Sequence, residues 1–342
     1  MEFVCFTEWS QLPESAQALF DTGSNNSVFF SRPWLENLAN TVLVDDQSML
    51  LACVIEGDEV LALLPLMKQQ SEHWDGLTHL YSSLFSLLLV QKNQQAVLNC
   101  LVQGFSQLPF VSLQLGPIAE DDSVLLKLQQ TMQSFGYECH RYFRFYNWVY
   151  KVQGQSFKDY FASRPGKVRN TITRKQRKLS REFGYDIRLF IDQDIKQGVD
   201  DYNAVYKSSW KANEQYDHFV EGLASQLSEQ SWLRLAVLYV DGKPIAAQFW
   251  FVVHAKASIF KLAYDEAWKK YSPGSILISY LMEYVIDTDK VEEIDFLTGN
   301  DAYKKDFMNE RRKRERLACI KPKQRAGVVN NFVMQLKRLI NV

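Results

Sequence analysis

A layout that occurs twice constrains this 342-residue chain more than any single motif. Leu50–Ala62 and Leu235–Ala247, 185 positions apart, each set an apolar run, a tight turn and a second apolar run. Glu56-Gly57-Asp58 and Asp241-Gly242-Lys243 supply the turns, where glycine tolerates positive φ, so both segments predict β-hairpins. A second echo pairs Val111–Gly116 with Ile294–Gly299 at 183 positions, each reading as a short strand that ends at glycine. Two matches in nearly one register describe two α/β halves of one plan, 1–152 and 153–342, joined near 151–160. Length agrees, since about 150 residues per domain is the usual expectation. A composition of 46% hydrophobic and 23% charged residues can fill two cores.

The second half is the more legible. A helix is predicted over 156–182 with a break at Arg164-Pro165-Gly166, then a strand at 184–191 and helices at 197–213 and 220–230. Strands follow at 232–240, 244–254 and 256–264. Tyr271-Ser272-Pro273-Gly274-Ser275 opens a helix to about 287, with Ser272 suited to the N-cap and Pro273 to the first helical position. A strand at 291–297, a short helix at 301–308 and a strand at 311–320 complete the half. Beyond Gly327, the residues Val328, Phe332, Val333, Leu336, Leu339 and Ile340 fall on one helical stripe, a packing face.

Thirty-nine Lys/Arg against forty Asp/Glu leave a formal charge of −1, which excludes a histone-like or acidic-tail protein. The balance conceals two basic stretches. Residues 164–188 hold nine Lys/Arg and two acids, and 304–325 hold ten Lys/Arg and three acids. The five cysteines, Cys5, Cys53, Cys100, Cys139 and Cys319, lie far apart. Without C-x-x-C or H-E-x-x-H spacing they read as buried thiols, with no disulfide frame and no metal site expected. Cys139 and His140 are neighbours on a strand and point to opposite faces, which argues against a nucleophile–base pair. The apolar stretch Leu84–Val90, like every other in the chain, falls short of the roughly 20 residues a spanning helix needs. Met1-Glu2-Phe3-Val4 shows no basic leader, so a cytoplasmic protein without a membrane span is expected.

The chemistry is carried by the order strand, strand, Ser-Pro-Gly-Ser loop, helix, strand ending in glycine. A helix N-terminus presents unpaired N–H groups and the positive end of a dipole, suited to a phosphate. Gly274 lets the backbone approach a ligand, and the small Ser275 keeps the approach open; an ordinary helix cap uses the same letters.

Lys261-Leu262-Ala263-Tyr264-Asp265, Tyr271-Ser272-Pro273-Gly274, Ile294-Asp295-Phe296 with Gly299, and Tyr303-Lys304 resemble the GNAT acyltransferase superfamily. The nearest subgroup is the BioF-like acetyltransferase domain of cellulose-biosynthesis-type proteins, itself similar to the tandem GNAT-like Fem peptidyltransferases. The resemblance is strong over about 155–310 and mainly architectural over 1–150. It implies an α/β fold of tandem GNAT-like (acyl-CoA N-acyltransferase) domains, each a mixed central sheet flanked by helices. It further implies transfer of an acyl group, most simply acetyl, from acetyl-CoA to an amine, with no metal.

On that resemblance the pantetheine arm would lie along Leu262, Ala263 and Tyr264, and the Ser272-Pro273-Gly274-Ser275-Ile276 segment would turn its backbone N–H groups to the pyrophosphate. The Gln/Arg-x-x-Gly-x-Gly/Ala loop of mainstream GNAT enzymes is replaced here by Tyr271–Ser275, as in the subgroup. The first half has no Ser-Pro-Gly, and Ser112 stands where the second has Asp295, so one cofactor site, in the second half, is expected.

Attack of an amine on a thioester needs a proton sink, an oxyanion donor and a proton for the leaving thiolate. Tyr303 stands where the superfamily often places its thiolate-protonating tyrosine; a core aromatic is the competing role. Lys304 would supply a fixed charge for an oxyanion or anionic acceptor, against the reading of a solvated surface lysine. Asp295 is either a base acting through water or a structural acceptor for the Gly299 loop, and Asp265 and Glu266 are further candidate bases. The basic stretches are solvated faces, or serve cofactor phosphates, an anionic acceptor such as a nucleotide-sugar, or tRNA. The partner expected is a small-molecule or glycan amine acceptor, such as a sugar or cell-envelope precursor in polysaccharide biosynthesis. The alternatives are a Fem-like aminoacyl-tRNA-dependent transferase, the one reading that brings in nucleic acid, and a non-catalytic scaffold of a polysaccharide-synthesis assembly.

Overall fold

The computed structural model describes residues 1–43, 48–70, 72–211 and 214–322. In chain order the elements are β1 (Glu2–Phe6), α1 (Ala16–Asn26), α2 (Arg32–Val42), β2 (Met49–Glu56), β3 (Glu59–Gln70), β4 (His73–Gly76), β5 (Leu88–Leu89) and α3 (Gln94–Gly104). There follow β6 (Ser112–Ala119), α4 (Ser123–Ser134), β7 (Glu138–Lys151), α5 (Phe157–Ser163), α6 (Gly166–Glu182), β8 (Asp186–Phe190), α7 (Ile195–Lys207) and α8 (Asp217–Glu229). The last are β9 (Leu233–Val240), β10 (Lys243–Val253), β11 (Lys256–Tyr264), a 3-10 helix (Glu266–Tyr271), α9 (Pro273–Glu283), β12 (Glu293–Thr298), α10 (Lys304–Phe307) and β13 (Glu310–Ile320).

Both predicted hairpins form. β2 and β3 turn at Gly57 (φ 58°), and β9 and β10 turn at Asp241 and Gly242 (φ 51° and 72°), the paired positive φ of a two-residue hairpin loop. The expected helix break is present: Arg164 is extended (ψ 155°), as a residue before proline must be, and it parts α5 from α6. α9 gives way to a π turn at Tyr284–Thr288, which ends near the expected 287. The strand expected to stop at Gly116 runs on to Ala119. The apolar stripe beyond Gly327 lies outside the described residues.

Two compact units emerge among the described residues, 1–144 with 314–322, and 145–313. They part within β7, eight residues before the expected 152/153 join, the strand itself running unbroken from Glu138 to Lys151. The last strand contributes residues 314–320 to the first unit rather than to the second half. In unit 1 the strands pair in the order β1, β2, β3, β4, β6, β13, all antiparallel except β4 with β6. In unit 2 the order is β8, β9, β10, β11, β12, β7, again antiparallel except one pair, β11 with β12. Each sheet packs its own apolar core. Leu98, Leu101, Phe105 and Leu125 help to close the first, and Ile172, Leu179, Trp250, Leu277 and Leu281 the second. Burying a side chain of this size contributes roughly 1.5–3 kcal/mol.

The thiols depart from expectation. Cys139 of β7 and Cys319 of β13 form a disulfide inside unit 1, with Cα atoms 4.2 Å apart. Spacing could not reveal it, because the pairing depends on a strand that returns after 180 residues. Cys5, Cys53 and Cys100 are free, and burial raises Cys5 to about 11 and Cys53 to about 12. Among the described residues no helix is long and apolar enough to cross a membrane.

Candidate functional site

In unit 2 the one parallel ladder is short. β11 and β12 pair through Lys256↔Glu293, Ala257↔Ile294 and Ser258↔Asp295, and the ladder ends there while β11 runs on to Tyr264 and β12 to Thr298. Both strands distort at this point. β11 carries one extra residue, Phe260, between the rungs Ile259↔Trp250 and Lys261↔Phe249. β12 sets Phe296 and Leu297 opposite Trp148 alone, between Asp295↔Val149 and Thr298↔Asn147. Bulges re-aim side chains and end pairing, so two of them at the last rung splay the strands. A strand edge released in this way can receive an extended, amide-bearing chain.

The far end of β11 leads into α9. Ser272 holds the N-cap position but is left-handed (φ 54°, ψ 49°), and its hydroxyl makes no cap bond, unlike the expected capping serine. Its N–H donates to the Lys269 carbonyl at 3.0 Å, while the N–H groups of Ser275 and Ile276 both reach the Ser272 carbonyl at 3.0 and 3.2 Å. Pro273 has no N–H to give. The expected row of free donors therefore narrows to Gly274, the second residue of the helix, which has no earlier helical carbonyl to meet. A Cβ added to Gly274 would meet one neighbour at ordinary van der Waals contact, Tyr264 Cδ1 at 3.4 Å. Ala263 is buried beside it in sequence, with Leu262 and Tyr264 half-buried, and the Tyr264 ring lies 4.5 Å from that of Trp210.

Gln248, which the sequence reading passed over, fixes this corner. It is fully buried on β10, donates to the Gly274 carbonyl at 2.8 Å and accepts from Trp250 Nε1 at 2.9 Å. A lone amide in the apolar run Ala246–Trp250 was the available signal, since a buried polar group must be bonded.

On the β12 side, Asp295 Oδ1 accepts from the buried Asn147 amide and from the Leu297 N–H at 2.6 Å. Leu297 is left-handed (φ 51°), a conformation that costs a leucine on the order of 1–3 kcal/mol. The carboxylate holds it there. Lys304 is buried, and its ammonium donates to the carbonyls of Phe296 at 3.1 Å and Thr298 at 2.6 Å, with the Asp301 carboxylate at 3.5 Å. An ammonium has three hydrogens, and three oxygens surround this one. Burial lowers its pKa, which Asp301 and Asp295 oppose. Asp295 and Lys304 thus clamp the Gly299 turn from both sides. Tyr303 is 42% exposed, its ring 6.0 Å from Phe296, and burial of the remainder with the Asp301 charge pushes the phenol up to about 12.

Of the other candidate bases, Asp265 accepts from the Ala267 N–H at 2.9 Å and Glu266 pairs with Lys269 at 3.6 Å. A second polar group was missed by sequence reasoning. Lys261, buried on β11, pairs with Glu214, and burial with the neighbouring Lys261 charge lowers Lys211 to about 8. Among the described residues no cluster of His, Cys, Asp or Glu could hold a metal ion.

Residues 166–305 match the family model described as an acetyltransferase (GNAT) domain. No curated protein matches the chain by sequence. Among solved structures the chain is similar to FemX, with a TM-score of 0.62 and 10% identity over 93% of this chain and 97% of that one. It is similar to the C-terminal domain of a putative lysylphosphatidylglycerol synthetase from Agrobacterium fabrum, with a TM-score of 0.60 and 13% identity over 96% of each. L-PGS from Bacillus licheniformis follows, with a TM-score of 0.54 and 13% identity over 95% of this chain and 96% of that one. At such identities these likenesses speak for the fold. The chain is an α/β protein of tandem GNAT-like units, each a mixed sheet flanked by helices.

Proposed function

We propose that this protein is an acyl-CoA-dependent N-acyltransferase, most simply an acetyltransferase, of the BioF-like subgroup its sequence resembles. The observation that carries the reading is the β11–β12 ladder that ends at Ser258↔Asp295 with α9 starting beyond β11, all within the segment that matches the GNAT model. The pantetheine amides of coenzyme A would pair with the edge of residues 259–264. The pyrophosphate would meet the Gly274 N–H, the dipole of α9 and the hydroxyls of Ser272 and Ser275.

Attack of the amine on the thioester carbonyl expels a thiolate. A phenol at about 12 keeps its proton through neutral pH, whereas an ordinary thiol loses its own near 8.5. Tyr303 therefore acts as a hydrogen-bond donor that stabilises the departing sulfur rather than as a strong acid. Asp295 and Lys304 are positioning residues: they fix the turn from which Tyr303 projects. The amine belongs to a small molecule or glycan, such as a sugar or cell-envelope precursor.

The fold likeness to FemX over 93% of the chain favours a second reading, aminoacyl transfer from a charged tRNA. Titration with acetyl-CoA and with tRNA separates the two. Micromolar, salt-tolerant acetyl-CoA binding with turnover on an amine panel is expected, and Tyr303→Phe lowers kcat by about 100-fold with KM for acetyl-CoA unchanged. Salt-sensitive tRNA binding without coenzyme binding would establish the second reading, and binding of neither would leave a scaffold.

A further inference from the structure

We propose that unit 1 carries an oxyanion seat of its own, built by Arg316, Arg144, Tyr142 and Gln114, which takes the phosphoryl or carboxyl group of a small molecule. The seat lies outside the coenzyme reading and stands whether or not unit 2 binds acetyl-CoA.

The first support is register. β4, β6, β13 and β7 are neighbours in that order, with Asp75 opposite Gln114 and Gln114 opposite Ala318. Side chains alternate along a strand. Trp74, Leu113, Leu317 and Cys139 point into the core of unit 1, so Asp75, Gln114, Arg316, Tyr142 and Arg144 share the other face. On β6 the two residues Gly116 and Pro117 face Arg316 alone, between the rungs Leu115↔Leu317 and Ile118↔Glu315. A bulge of this kind re-aims the side chain beside it.

The second support is hydrogen bonding. Gln114 Oε1 accepts from the Tyr142 hydroxyl at 3.0 Å and from Arg316 Nη1 at 3.1 Å. Arg316 Nε is buried and makes no hydrogen bond among the described residues. A buried donor is costly to leave unmade, so it points to a group from outside the chain. With Nη1 committed to Gln114, the guanidinium edge that carries Nε remains, and such an edge meets two oxygens of one oxyanion.

The third support is charge. Burial and then the Arg316 charge lower Arg144 from the ordinary arginine value, against the pull of Tyr142 and Asp75. The flanking arginines are paired, Arg141 with Glu315 and Arg312 with Glu293 and Glu310. No described acid lies within ion-pair distance of Arg144 or Arg316. Arg144 is exposed and Arg316 half-buried, so a ligand can enter from solvent. An oxyanion relieves the repulsion between the two guanidinium groups. Part of the basic stretch 304–325 thereby gains a use that local sequence hides, since Arg316 meets Gln114 across 202 positions.

Calorimetric titration of the full chain with pyrophosphate and with succinate tests the seat. Gly274→Trp is titrated beside the wild type, because it blocks the phosphate position proposed at α9. Pyrophosphate is expected to bind Gly274→Trp with a Kd below about 1 mM. Arg316→Gln should weaken that binding at least about tenfold, and Arg316→Lys, which keeps the charge and loses the fork, about fivefold. Gln114→Glu supplies Arg316 with a carboxylate from within the chain. It should abolish binding and raise the melting temperature by about 2–4 °C, a gain that also shows the variant is folded. Pyrophosphate bound more tightly than succinate makes the ligand a phosphoryl compound, and the reverse makes it a carboxylate. No binding of either anion by the wild type overturns the seat. So does binding that survives both Arg316→Gln and Gln114→Glu, or that is lost in Gly274→Trp alone. Acetyl-CoA enters none of these titrations, so failure here leaves the coenzyme reading untouched.

Discussion

The two units share a strand order, a single parallel ladder and even the local geometry at which the following helix starts. Asn93 before α3 and Ser272 before α9 are both left-handed at φ 54°. What differs is the filling of the place where the parallel strands end. In unit 1, β4 stops at Gly76 after four residues, and the buried Phe85 ring lies 2.6–2.9 Å from where a Cβ on Gly76 would be. In unit 2, β11 runs for nine residues and bulges at Phe260, and a Cβ on Gly274 would meet only Tyr264 Cδ1, at 3.4 Å and without a clash. One frame supports either a plugged core or an opening, and side-chain volume at the mouth decides which. Function resides in what is grafted on the fold rather than in the fold.

The comparison can be broken most forcefully at its two glycines. Gly274→Trp places an indole in the opening of unit 2 and is expected to cut acetyl-CoA affinity on the order of 100-fold, with the melting temperature nearly unchanged. A titration that finds wild-type affinity would mean the opening is not the cofactor path. Gly76→Ala should do the reverse. Its methyl cannot share space with Phe85, so unfolding stability should fall by about 1–3 kcal/mol in urea while acetyl-CoA affinity stays as it was.

A smaller effect is expected from Gln248→Leu, which takes one donor from the Gly274 carbonyl and strands the Trp250 N–H. Urea unfolding should show a loss of about 2 kcal/mol, with a several-fold weaker hold on acetyl-CoA because the α9 start loosens. Retained stability would show that another group takes over both bonds.

The smallest expected difference is in acid. Glu293 in unit 2 is buried, which works against its charge, but Arg312 and Lys151 more than offset this and lower its pKa below 4.5. Its stabilisation is present above that ordinary value and is lost as pH falls through the depressed one. Asp75 in unit 1 is raised above 3.8 by burial, against the pull of Arg316, His73 and Arg144. It favours the folded state below its ordinary value and loses that advantage as pH rises through the elevated one. Hydrogen exchange at pH 7 should therefore show Glu293→Gln loosening unit 2 and Asp75→Asn tightening unit 1, both differences shrinking toward pH 3. Matching signs in the two units would refute the assignment.

Much of unit 2 was legible because its local signals agree. The hairpin turn at Asp241-Gly242, the Pro165 break and the Pro273 helix start all act within a few residues. The GNAT resemblance drew attention to residues that do meet at one turn: Asp295, Tyr303 and Lys304. Their division of labour was not legible. That Lys304 spends its hydrogens on the Phe296 and Thr298 carbonyls depends on Leu297 adopting a left-handed backbone, which no sequence pattern announces. Glu214 facing Lys261, Phe85 plugging Gly76 and the Cys139–Cys319 bond are contacts across 47, 9 and 180 positions, all settled by packing. The compact units differ from the sequence halves for the same reason, since a strand late in the chain pairs with β6 of the first unit.

That last strand bears on how the protein is made. A ribosome that has delivered residues 1–144 has released every described helix of unit 1 but not the strand that pairs with β6 through Leu113↔Cys319 and Leu115↔Leu317. All of unit 2 must be synthesised in between. The partner edge of β6 then waits uncovered while unit 2 is made, an invitation to wrong pairing with another nascent chain. A chain cut short at Lys313 would keep every strand of the unit 2 sheet and lose the closing strand of unit 1. Unit 1, whose first strand is made earliest, is thus the unit whose sheet closes last.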